Sequence, residues 1–102
     1  MQELGTQDFH GKIAKGKAVV DFWAPWCGPC KMMAPVFEEV SRAHKDTLFA
    51  KVNVDDHPQI AQEFGVRSIP TLIIFHDGKE VSRAIGASSK AQLESRIKEA
   101  FR

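Results

Sequence analysis

The feature that most constrains the fold is the run Ala18-Val19-Val20-Asp21-Phe22-Trp23, nearly continuous in apolar residues. A strand with one face in water alternates apolar and polar residues. A run without alternation marks a strand covered on both faces, as in a parallel or mixed sheet between helices. The one carboxyl in the run, Asp21, is then buried near the strand's C-terminal end, where open α/β sheets place their sites. On an edge strand Asp21 would face water, but such a strand would not also carry Val19 and Trp23 on the same side.

Directly after the run comes Trp26-Cys27-Gly28-Pro29-Cys30, which holds the only two cysteines of the 102 residues. Two intervening residues set the sulfurs one helical turn apart, close enough to join as a disulfide or stand apart as a dithiol. Cys27 falls where a helix begins, so unpaired N–H groups and the helix dipole favour its thiolate. Cys30, a turn further in, is more shielded. Cys27 is accordingly assigned as nucleophile and Cys30 as resolving thiol. Zinc is disfavoured because there is no second Cys-x-x-Cys, and His10, His44, His57 and His76 lack finger spacing. Lys31 stands where haem attachment needs histidine, and an iron–sulfur cluster needs more cysteines. As a staple the pair would close too short a loop to remove much unfolded-chain entropy. A buried Asp21 near Cys30 has a raised pKa and can accept that thiol's proton.

The length suits one domain over residues 1–102, with a core that needs no staples. With 14 basic and 13 acidic side chains mixed along the chain, no field selects nucleic acid or an anionic membrane. No basic segment followed by an apolar core opens the chain, and no apolar run nears 18 residues. The expected compartment is the reducing cytoplasm, where an isolated Cys-x-x-Cys is catalytic rather than structural.

Taken in order, Thr6 or Asp8 caps a short helix carrying Phe9 and Ile13, broken by Gly11 and ended by Gly16. A helix from Gly28 to about His44 turns Met33, Val36, Phe37, Val40 and Ala43 inward, with Pro35 expected to kink it. Leu48 to Val54 reads as a strand in which Lys51 snorkels to solvent. Asp55-Asp56-His57-Pro58 starts a short helix with a carboxylate at its cap, His57 being an exposed turn residue, and Gly65 stops it. Leu72 to Phe75 and Glu80 to Ile85 form a hairpin around His76-Asp77-Gly78-Lys79. Ser89-Lys90-Ala91-Gln92 is a capping box ahead of Leu93, Ile97 and Phe101.

These blocks together resemble the thioredoxin family over nearly the whole chain. The resemblance rests on Asp21-Phe22-Trp23-Ala24, Trp26-Cys27-Gly28-Pro29-Cys30-Lys31, Pro35, Ile69-Pro70-Thr71, Gly78 and Gly86. It implies an α/β thioredoxin fold, a central mixed β-sheet flanked by helices. The first strand is shortened to Gln2–Gly5. It also implies a monomeric protein-disulfide reductase with no bound cofactor or metal, acting on disulfide-containing target proteins. A thioredoxin reductase carrying FAD and using NADPH would re-reduce it. By position Lys51 becomes the lysine that modulates Asp21, and Pro70 the cis-proline opposite the dithiol, although residues alone favour trans at about nineteen X-Pro bonds in twenty. An uncharged docking rim is implied from Trp26, Gly28, Pro29, Ile69, Pro70, Gly86 and Ala87, to which targets could add backbone hydrogen bonds beside Pro70. The chain departs from the family in lacking tyrosine, with His44 and Phe64 near positions that often carry aromatic rings. Two other functions fit a Cys-x-x-Cys domain. One is a disulfide oxidant or isomerase, which wants an export signal and a different dipeptide between the cysteines. The other is a non-catalytic binding subunit, against which retention of both thiols with Asp21 argues.

Overall fold

The computed structural model describes residues 2–102. Nine elements follow one another: β1 (Gln2–Glu3), α1 (Phe9–Ile13), β2 (Lys17–Trp23), α2 (Gly28–Ala43), β3 (Thr47–Asn53), α3 (Pro58–Glu63), β4 (Thr71–His76), β5 (Lys79–Ile85) and α4 (Lys90–Ala100). They build one mixed sheet in the order β1-β3-β2-β4-β5. β3 runs parallel to both β1 and β2, whereas β4 is antiparallel to β2 and to β5. The apolar run thus forms the central strand, as its lack of alternation requires.

Side chains alternate across the sheet and divide the core in two. Val20, Phe22, Ala50, Val52, Ile73 and Phe75 pack with Leu4, Phe9, Ile13 and Ile60 under α1 and α3. On the other face Val19, Phe49, Leu72, Ile74 and Ala84 meet Met33, Phe37 and Val40 of α2 and Leu93 and Ile97 of α4. Asp21, Lys51 and Glu3 fall on this second face by the same alternation. The shortened first strand is present as the two-residue β1, and the Leu4 N–H extends its pairing by donating to the Lys51 carbonyl at 2.8 Å.

Several local expectations need correction. Gly11 does not break α1 but lies within it. Asp8 stands at its N-cap without capping, because its carboxylate accepts from the Gly5 N–H at 2.7 Å. Thr6 does not cap either, its hydroxyl facing His57 Nδ1 at 3.1 Å. β3 covers Thr47–Asn53 rather than Leu48 to Val54. The N-cap of α3 is His57, not a carboxylate, and it makes no side-chain cap bond. His57 is half-buried rather than an exposed turn residue. Its ring lies so close to Gly5 that a Cβ there would sit 2.7 Å from it. Ala43, expected to face inward, is exposed at the end of α2.

The hairpin and the last helix follow local chemistry. Asp77 and Gly78 have φ of 51° and 84°, the two positive values that a type I′ turn requires. At α4, Ser89 Oγ accepts from the Gln92 N–H at 3.1 Å while Gln92 Oε1 accepts from the Ser89 N–H at 2.9 Å. Two helix-end donors are satisfied reciprocally. Ser89→Ala is expected to cost about 1 kcal/mol, read as a lower urea midpoint with unchanged slope. An unchanged midpoint would show that solvent caps this end equally well.

Candidate active site

The Ala24–Trp26 turn links the central strand to α2, and both cysteines lie at that junction. Cys27 is the N-cap, with extended backbone at φ −86° and ψ 112°, and Pro29 sits in the first turn, where its missing N–H costs no bond. The Lys31 N–H donates to the Cys27 carbonyl at 3.1 Å, and the Cys30 N–H donates to Cys27 Sγ at 3.2 Å. Cys27 and Cys30 are joined as a disulfide with Cα atoms 5.2 Å apart. The expected difference in shielding is slight, since Cys27 is 4% and Cys30 3% exposed. Hydrogen bonding is what distinguishes them: a helix N–H points at Cys27 Sγ and stabilises negative charge there.

Around the disulfide, Ala24 is fully buried, with Trp23, Val54 and Ile69 packed alongside. The Ile69-Pro70 peptide is cis, as the family resemblance implies and the residues alone do not. Cys27 Sγ lies 3.9 Å from the Ile69 carbonyl oxygen. The Gly86 N–H donates to the Pro70 carbonyl at 2.8 Å, fastening the end of β5 to this loop. Pro70 is buried, Ile69 and Gly86 are half-buried, and Gly28, Pro29 and Ala87 are exposed. Trp26 is 68% exposed, and its indole N–H donates to Asp55 at 2.9 Å. Asp55, one of the two carboxylates at the expected helix start, therefore orients the tryptophan. Ile85, 70% exposed and in register with Thr71, extends the apolar surface and was absent from the expected rim. Strand alternation alone does not reveal it, because β5 lies at the sheet edge.

Asp21 is 1% exposed, and neither carboxylate oxygen has a hydrogen-bond partner among the described residues. Burial pushes its pKa from 3.8 up to about 7. Lys51 opposes that rise and Glu3 adds to it. Lys51 is neither snorkelling freely nor ion-paired with Asp21. It is half-buried, in register with Asp21, and its ammonium sits 4.1 Å from the centre of the Trp23 ring. α2 packs on the Asp21 face of the sheet, and its buried side carries Cys30 one turn ahead of Met33. No helix is long and apolar enough to cross a membrane, and no group of three or more His, Cys, Asp or Glu side chains could hold a metal ion among the described residues.

This arrangement is matched in known proteins. The thioredoxin family model matches residues 1–99. The thioredoxin of Alicyclobacillus acidocaldarius is 51% identical over 96 residues, covering 92% of this chain and 91% of its own. That of Chlamydia caviae is 49% identical over 90 residues, covering 88% of each. Among solved structures, Malassezia sympodialis thioredoxin superposes with a TM-score of 0.87 at 39% identity, covering 100% of this chain and 91% of that one. Family members are thiol–disulfide oxidoreductases that work through a redox-active disulfide without a bound cofactor, NADPH entering only through the reductase. With both cysteines of the disulfide at the N-terminus of α2, and with matches of this extent in sequence and structure, the chain belongs to the thioredoxin family.

Proposed function

We propose that this chain reduces disulfides of target proteins with Cys27 as nucleophile and Cys30 as resolving thiol. The observation that carries the assignment is the helix N–H donating to Cys27 Sγ. In the reduced form the Cys27 thiolate attacks one sulfur of the target disulfide. That bond breaks, the other target sulfur leaves as a thiolate, and a mixed disulfide forms. Asp21 takes the Cys30 proton. Cys30 then attacks Cys27 Sγ and releases the second target thiol. Two electrons have passed to the target and the Cys27–Cys30 disulfide is restored.

Lys51 limits how far Asp21 rises and so tunes this base. Trp26, Gly28, Pro29, Ile69, Pro70, Gly86 and Ala87 form the docking rim, with Ile85 at its margin. The rim's lack of charge supports targets chosen by an extended backbone beside Pro70 rather than by electrostatic steering. Re-reduction falls to a flavin-dependent thioredoxin reductase using NADPH, with the chain acting as a monomer in the cytoplasm. Coupled to such a reductase, the protein should consume NADPH while reducing the interchain disulfides of insulin. Rapid insulin reduction by dithiothreitol-regenerated protein, without NADPH coupling, would refute only the reductase partner. No reduction under either condition would overturn the reading in favour of a non-catalytic binding subunit.

A further inference from the structure

One row of the sheet crosses all five strands at the level of Asp21: Glu3 on β1, Lys51 on β3, Asp21 on β2, Leu72 on β4 and Ala84 on β5. In-register residues project to the same face, so Glu3, Lys51 and Asp21 place an acid, a base and an acid side by side on the face that α2 covers. The other neighbours contribute no fixed charge. β4 offers Leu72, β2 itself offers Val19 and Trp23, and the buried side of α2 offers Met33 and Cys30, whose thiol titrates only when the disulfide is reduced. Among the described residues, the charges ranged against Asp21 are therefore those of Lys51 and Glu3.

We propose that Glu3 is a positioning residue of the redox centre, its carboxylate acting from the edge strand to offset the Lys51 ammonium and set the pH at which Asp21 gives up its proton. The proposal builds on the reading of Asp21 as the base that serves Cys30. Lys51 alone would favour ionised Asp21 and make it a weaker base. An acid on the far side of Lys51 restores basicity near neutral pH, where a general base works best. The direction agrees with the effect of Glu3 on Asp21, which is to raise its pKa. Two strand spacings separate Glu3 from Asp21, about 10 Å, and Glu3 is exposed, so its influence is screened but not abolished at low salt. The two-residue β1 thereby gains a role beyond closing the sheet edge.

The test uses the oxidised full-length protein, in which neither cysteine titrates, and follows the Asp21 carboxyl carbon by NMR at low ionic strength. Glu3→Gln should lower the Asp21 midpoint by roughly 0.3 of a pH unit, and Glu3→Lys by about twice that. Glu99→Lys makes the same change of net charge on the distant C-terminal turn of α4 and should leave the midpoint in place. Urea midpoints check that the β1 variants remain folded. An Asp21 midpoint that does not move in Glu3→Lys, or moves equally in Glu99→Lys, overturns the proposal. The pH profile of Cys30 attack on a mixed disulfide separates it from the reading on which it builds. A midpoint that shifts while that profile stays put confirms the influence of Glu3 and removes Asp21 as the base.

Discussion

Cys30→Ser is expected to hold target proteins in a stable mixed disulfide through Cys27, while Cys27→Ser neither reduces nor traps them. The asymmetry follows from the hydrogen bonding at the start of α2. Sγ of Cys27 has a helix N–H aimed at it from 3.2 Å, so charge developing on that sulfur is stabilised as it forms. Cys30 is held inside the first turn of α2, where it is placed to attack Cys27 Sγ but, among the described residues, has no comparable donor of its own. Because the second step is intramolecular, its effective thiol concentration far exceeds that of any thiol in solution. Replacing it by about 1 mM external thiol should slow turnover by more than about a thousandfold. Non-reducing electrophoresis after incubation with a model target reads the trapped species directly. If Cys27→Ser accumulated as much adduct as Cys30→Ser, the two roles would have to be exchanged.

What could be read from the sequence was whatever depends on neighbours along the chain. The Ser89–Gln92 box and the Asp77-Gly78 turn are complete within four residues, and both formed as their chemistry dictates. Asp21 was legible as buried because an uninterrupted apolar strand leaves no wet face for its only carboxyl. Residues whose partners lie far away were not legible. The run Asp55-Asp56-His57-Pro58 suggests a carboxylate at the helix cap, yet the Trp26 indole, 29 positions before Asp55, claims that side chain. His57 looks like an exposed turn residue until the N-terminal segment lays Gly5 and Thr6 against its ring. For Lys51 the residues alone suggest snorkelling and only the resemblance ties it to Asp21, since nothing within β3 announces that Trp23 of the adjacent strand will sit beneath its ammonium. The cis state of the Ile69-Pro70 bond came from family resemblance and not from the residues.

Asp21→Asn is expected to stabilise the fold increasingly from about pH 4 to pH 7 and above, and to slow resolution of the mixed disulfide. A carboxyl whose pKa is raised from 3.8 to about 7 binds its proton more tightly when folded than when unfolded. Below about pH 4 both states are protonated and the raised pKa costs nothing. As pH rises towards 7 the unfolded chain ionises first, so the wild type loses stability until the folded carboxyl also ionises. The full loss is on the order of 4 kcal/mol, set by the difference between the two pKa values. Asparagine keeps nearly the same shape and carries no charge at any of these pH values, so the variant escapes that loss. Its urea midpoint, measured on the oxidised protein, should match the wild type near pH 4 and exceed it progressively up to pH 8. The catalytic effect has the opposite sign. Without Asp21 the Cys30 proton has no buried acceptor, and release of a model target from its mixed disulfide should slow by about a hundredfold, the lower end of what a positioned base supplies. Initial attack by Cys27, which needs no proton removed by Asp21, should change far less. A stability difference from wild type that stays flat from pH 4 to pH 8, together with resolution at the wild-type rate, would make Asp21 a structural residue with no part in the exchange.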